Sequence, residues 1–171
     1  MNLQEKLQEN TAVLINSFST LSQATIEFKP AENAWSILEC VEHIFLIDRA
    51  VTKGIAAAPP TEKAENTKTE LFGEGKLNHL LVTKRIEYKA IAPDFSIPKS
   101  RFKTSSEAIE AINNLMTDTI NFLNTNDITQ DTHTTVHMRL GDMTKTDWIH
   151  FMIAHTNRHI VQIEELKKVA G

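Results

Sequence analysis

The sequence predicts an all-α fold: a four-helix bundle with a long irregular crossover between the second and third main helices. Three observations carry that expectation. Apolar residues return at spacings of three and four along four separate stretches. A Ser or Thr followed three residues later by Glu marks two helix starts. Five glycines and five prolines in 171 residues are too few for the many turns of a sandwich or barrel.

The first helix is expected from about Leu3 to Leu21. Leu3, Leu7, Leu14, Phe18 and Leu21 form its apolar stripe, with Val13 beside them. Gln4, Glu5, Lys6, Glu9 and Asn10 fill the other face near the start. Residues 22–34, with Pro30 and Asn33, read as a connection. Ser36 and Glu39 then form a capping box, in which the hydroxyl accepts from the N3 amide and the carboxylate reaches back. Trp35 and Cys40 take the two positions of a hydrophobic staple. The second helix therefore starts at Ser36, runs through Val41, Ile44, Phe45, Leu46 and Ile47, and stops before Pro59-Pro60. It is apolar on more than one face, which makes it central and leaves surface for a second copy in a homodimer.

Residues 59–104 are the least regular part. A short helix is expected within Lys76–Ala90, on Leu77, Leu80, Leu81 and Ile86, and Pro93 and Pro98 mark an irregular crossover. Connections this long in a small domain are often functional. Thr104-Ser105-Ser106-Glu107 is a second capping-box pattern. Ile109, Ile112, Met116, Ile120 and Leu123 continue it as a third helix ending near Asn124. Residues 125–143, rich in Thr, Asp and Asn and containing Gly141, read as a loop with at most a short extended piece. Thr144-Lys145-Thr146-Asp147 opens the last helix, with Met143 and Trp148 at staple positions and Asp147 as a weaker substitute for Glu at N3. The whole chain, 1–171, is expected to form a single domain.

Lys plus Arg is 18 and Asp plus Glu is 22, a net charge of −4, which argues against a general nucleic-acid binder. The single cysteine excludes an internal disulfide. No run of about 18 apolar residues occurs, so no membrane-spanning helix is expected. The opening segment lacks a basic region followed by an apolar block, so no secretory signal is expected and the cytoplasm is the default address. The expected partners are a small-molecule substrate and a second copy, with neither nucleic acid nor membrane.

Of the seven histidines, His155 and His159 are the informative pair. At i and i+4 on a helix they lie about 40° apart around the axis, so both imidazoles reach one metal ion. They share the stripe of Phe151, Met152, Gln162 and Ile163, which points them inward. A pair of core histidines satisfied by hydrogen bonds is the competing reading, and no Glu completes a metalloprotease motif. His43, beside Val41, Ile44 and Ile47 on the second helix, offers a third imidazole from a facing element. It too has a bland alternative, a buried histidine bonded to a neighbouring helix. Three nitrogens with open positions suit Zn²⁺ or Ni²⁺, with Fe²⁺ as a third option. Cys40 is near His43, but its staple position favours a core role. His133 and His137 repeat the i, i+4 spacing in a Thr-rich stretch without an apolar stripe, where they would line the mouth of a pocket. Arg158 flanks the pair, either to bind a substrate carboxylate or to sit in a solvated salt bridge.

Trp35-Ser36, Glu39 and His43 resemble the first motif of the DinB-like (DinB/YfiT) metalloenzyme superfamily. Gly141-Asp142-Met143-Thr144, Asp147-Trp148, Phe151, His155, Arg158-His159 and Gln162-Ile163 are similar to its last helix. Ala92-Pro93, Pro98 and Phe102-Lys103-Thr104 resemble the crossover of one branch. The resemblance implies a four-helix bundle with His43, His155 and His159 as metal ligands and a frequent homodimer. Its characterised members include thiol-dependent transferases and isomerases. Two classes of function follow. One is a metalloenzyme, either a thiol-dependent S-transferase that uses a low-molecular-weight thiol on a small electrophile or a hydrolase. The other is a non-catalytic metal-binding or structural helical dimer.

Overall fold

The computed structural model describes residues 1–59, 68–88 and 91–170. The chain is predominantly helical with one small sheet: α1 Leu3–Phe18, α2 Gln23–Glu27, α3 Ile37–Ala57, α4 Gly73–Asn78, α5 Ser105–Thr125, the hairpin β1 Thr134–His137 and β2 Gly141–Thr144, and α6 Lys145–Ala170. A π-helical turn over His79–Thr83 extends α4, and 3-10 turns occupy Asp94–Ser96 and Ile128–Gln130. α6 packs against α1, α3 and α4, and α5 packs against α1 and α3.

Local chemistry explains the boundaries. Asn2 and Glu5 form a capping box at the start of α1. The helix ends at Phe18, short of the expected Leu21. Ser22 accepts from the Thr25 N–H and opens α2 where a connection was expected, and Ile26 anchors that turn in the core. Ser36 and Glu39 form the expected capping box of α3, and Trp35 and Cys40 meet in one apolar cluster. At α5 only half of the second box forms. Thr104 accepts from Glu107 N, while the Glu107 carboxylate takes the Lys103 N–H instead. The expected helix within Lys76–Ala90 is found as α4 and its π turn, beginning earlier at Gly73. Lys89 and Ala90 lie outside the described residues, as do Pro60 and the following seven positions of the crossover.

The all-α expectation needs one correction. Residues 134–144 form an antiparallel hairpin, with Thr134 opposite Thr144 and His137 opposite Gly141. Gly141 takes a positive φ of 81°, which glycine reaches without steric cost. The strands are short and β1 is exposed, so no long alternating pattern marks them in the sequence.

Two buried carboxylates attach the irregular chain to the helices. Asp147, in the first turn of α6, is fully buried. It accepts from the backbone N–H groups of Leu71, Phe72 and Gly73 at 2.8–3.0 Å, and from the Thr144 N–H and hydroxyl. It therefore caps α4 while completing its own helix start. Glu42 on α3 accepts from Lys99 N at 2.7 Å and Arg101 N at 2.9 Å. Ser100 between them sits at φ 59°, a left-handed conformation that aims both flanking amides at one carboxylate. A third buried group, Lys145, pairs with Asp131 at 2.7 Å and donates to the Ala58 carbonyl, tying the end of α3 to α6.

Burial pushes the Asp147 carboxyl up, but the N–H groups of Gly73, Leu71, Phe72 and Thr144 outweigh it and hold the group below its ordinary value. Its stabilisation is therefore present above the unfolded pKa and lost as pH falls through the folded one. Asp147→Ala leaves four backbone amides without their acceptor and is expected to cost about 2–4 kcal/mol. Asp142→Ala, at an exposed hairpin position, should stay within about 0.5 kcal/mol. Urea denaturation of both variants measures the difference, and equal midpoints would remove the double-cap role.

Candidate metal centre

α3 and α6 place three imidazoles in one buried cluster. His43 comes from α3, and His155 and His159 come from α6, one turn apart. All three are buried, and one possible ligand atom from each lies within 4.8 Å of the others. Nε2 of His155 stands 3.2 Å from Nε2 of His159. His43 Nδ1 donates to the Ser96 carbonyl at 2.8 Å, and His159 Nδ1 donates to Gln162 Oε1 at 2.9 Å. Those bonds fix the tautomers and leave both Nε2 lone pairs directed into the cluster.

The arrangement fits a divalent ion. Two imidazole nitrogens at about 2.0–2.1 Å from one ion stand about 2.8–3.4 Å apart for right-angle to tetrahedral arrangements. The observed separation falls inside that interval. In the absence of a cation His155 Nε2–H can donate to His159 Nε2, and the orphaned atom is His155 Nδ1, which is buried with no partner. A divalent ion at the shared position would take the place of that proton and accept the lone pairs of both Nε2 atoms. Burial keeps the rings neutral, as ligands must be. It lowers His159 to about 3, with His43 adding to the effect and Gln162 opposing it. Burial, then His159 and His43, push His155 well below its ordinary value. Burial also lowers His43, against the Ser96 bond.

The cluster forms the base of a cleft of about 330 Å³. Trp35 lies against His43 with ring centres 4.8 Å apart. Phe151 stacks on His155 at 5.4 Å. Leu81, Tyr88, Arg139 and Arg158 complete the walls. Arg158 lies in the cleft wall and is held there by backbone carbonyls. Its Nη1 donates to the Leu81 and Arg85 carbonyls at 3.0 and 3.1 Å, satisfying backbone that the π turn releases. No carboxylate lines the cleft among the described residues.

Cys40 stays outside the cluster. It is fully buried in the core, and burial, then Glu39, push its thiol up to about 12. Glu39 is committed to Ser36 N and to Lys29 Nζ. His137 lines the cleft, whereas His133 is not among its walls. His137 Nδ1 accepts from Arg139 N and Leu140 N, so its ring closes the hairpin turn. Sequence reasoning missed Ser96 as a histidine anchor and Glu42 as its support. The one available signal was a glutamate next to His43 on an otherwise apolar face.

An ion held by this cluster gives two expected outcomes. Metal analysis of His155→Ala or His159→Ala should show most of the ion lost, while His133→Ala and His137→Ala retain about one per chain. Metal-free protein should also lose stability as pH falls below about 6.5, the unfolded histidine value. There the unfolded chain takes up protons that the folded cluster refuses until a far lower pH. Thermal melts between pH 7 and 5 should slope less in His159→Gln than in the parent, and parallel slopes would contradict the depressed value.

Comparison with known proteins places the chain in a family. The DinB superfamily model matches residues 6–163. An uncharacterized protein of Bacillus subtilis (strain 168), YuaE, is 25% identical over 156 residues, covering 90% of each chain. No solved structure matches. With the family model spanning both histidine helices and the crossover between them, the chain belongs to the DinB superfamily.

Proposed function

We propose that the chain is a metal-dependent enzyme in which His43, His155 and His159 hold one divalent ion, Zn²⁺ or Ni²⁺ before Fe²⁺, and that it transfers a low-molecular-weight thiol to a small electrophile. The proposal treats residues 1–171 as a single four-helix-bundle domain built from α1, α3, α5 and α6. It includes the homodimer and the cytoplasmic address. The dimer rests on family resemblance, because the apolar faces of α3 are covered within the chain by α2, α5, α6 and the Asp94–Ser96 turn. Among the described residues no helix is long and apolar enough to cross a membrane.

The observation that carries the reading is a three-imidazole cluster opening into a cleft. Closed structural zinc sites use four protein ligands, whereas catalytic ones keep a position open. No fourth His, Cys, Asp or Glu joins the cluster among the described residues. A bound divalent ion supplies Lewis acidity that lowers the pKa of a thiol or water beside it. The chain's own groups do the rest. Ser96 and Gln162 lock the ring orientations. Trp35, Phe151 and Leu81 exclude water from the histidines and so strengthen their electrostatics. Arg158 and Arg139 bring positive charge to the walls, which favours an anionic nucleophile.

The absence of a carboxylate from the described walls favours thiol transfer over hydrolysis. Hydrolysis of an amide or ester calls for a base that takes a proton from water and an acid that returns one to the leaving group. Thiol transfer to an aryl halide calls for one deprotonation: the S–C bond forms, halide leaves, and the thiol proton goes to solvent. Metal analysis of protein from its native host, followed by conjugation assays on the matched metal form, tests the reading. Turnover should require both thiol and ion and fall at least about 100-fold in His43→Ala. Thiol-independent ester cleavage would replace the transferase with a hydrolase. A stoichiometric ion without either activity would leave the non-catalytic reading.

A further inference from the structure

A second cavity adjoins the histidine cleft. It is a groove of about 290 Å³ between α3, the Asp94–Ser96 turn and the hairpin. Ile47, Pro93, His137, Met138 and Phe151 belong to the walls of both, so the two spaces adjoin along these residues. No charged Lys, Arg, Asp or Glu lines the groove among the described residues. Its polar side-chain atoms include pairs already bonded to the protein. Trp148 Nε1 donates to Thr135 Oγ1 at 2.7 Å, and His137 Nδ1 is taken by the turn amides. What remains on the walls is mostly hydrocarbon and aromatic surface. The floor is the solvent-facing side of α3 at Ala50 and Gly54, where small side chains leave the space open. A Cβ added at Gly54 would meet nothing within 4 Å. The rim carries large apolar side chains that a soluble surface seldom leaves bare together: Val136 is 73% exposed, Met138 72% and Phe95 59%.

We propose that this groove binds the hydrocarbon tail of the molecule whose polar, reactive end meets His43, His155 and His159. The substrate class is thus an elongated amphiphilic small molecule with an alkyl or aryl tail. The inference rests on the metalloenzyme reading for the reactive end, and on the groove alone for the tail. Continuity with the cleft decides between a small molecule and a second copy of the chain. A protein surface docked on the rim would cover the groove alone, whereas a slender ligand lying along the shared residues Pro93, His137 and Met138 would occupy the groove and the histidine cleft together. The volume suits part of a small ligand.

Straight-chain carboxylates from hexanoate to decanoate serve as probes, titrated calorimetrically into Zn²⁺-loaded and metal-free protein. Affinity should rise with length, approaching about fourfold per methylene at full burial. Gly54→Phe plugs the floor at an open, exposed position and should weaken decanoate at least about tenfold while leaving hexanoate within about twofold. Ala50→Leu should act in the same direction more weakly. Both variants should keep the parent's zinc content, which separates this test from that of the metal centre. Loss of zinc binding in the parent would sink the metalloenzyme reading, while a length-dependent, Gly54-sensitive tail effect in the same protein would still support the groove. Equal affinities along the series overturn the proposal, as does a folded Gly54→Phe that binds decanoate normally. A Gly54→Phe that splits a dimer without changing decanoate binding also overturns it, and assigns the groove to a second copy.

Discussion

Backbone N–H groups in irregular chain need acceptors, and in this protein two buried carboxylates supply them. Asp147 gathers the amides of Leu71, Phe72 and Gly73, and Glu42 gathers those of Lys99 and Arg101. Each is a charge that would be costly to bury alone, and each is stabilised by several N–H dipoles aimed at it. Together they fasten two parts of the crossover to α6 and α3. Leu81 on one side of the cleft and Ser96 on the other take their places from those attachments.

The same economy runs through the histidine cluster. Glu42 and His43 are consecutive on α3, and both bind the segment around the Asp94–Ser96 turn. The carboxylate takes its amides and the imidazole takes the Ser96 carbonyl. Holding the crossover and setting the His43 tautomer are therefore one structural event. Gln162 does the equivalent for His159 from one turn along α6. Burial keeps all three rings neutral, at a cost in stability below the ordinary histidine pKa that a bound cation would offset.

Identical spacing yields different geometry in the two histidine pairs. Four residues along a helix rise about 6 Å, with the side chains on one face. Four residues along extended chain cover about 13 Å. His155 and His159 lie on α6 and bring their Nε2 atoms to 3.2 Å. His137 ends β1 and His133 immediately precedes it, so that pair is spread along the hairpin. His137 instead contributes a wall and a turn closure, and with Phe151 it lines both the apolar groove and the cleft.

Local signals in the sequence determined the helix starts at Ser36 and Thr104, the inward stripe of α6, and the three histidines as one candidate cluster. Each depends on contacts within a turn or two, or on a residue sharing a face with apolar neighbours. Only tertiary structure decided the partners of irregular backbone. The acceptors of Leu71, Lys99 and the Leu81 carbonyl's donor lie 57 to 77 residues away, and nothing local encodes them. The hairpin was equally hidden, since β1 is short, exposed and without an apolar alternation. The groove arises from small residues on α3 meeting apolar ones on the hairpin and the 3-10 turn, and only the folded chain brings those three surfaces together.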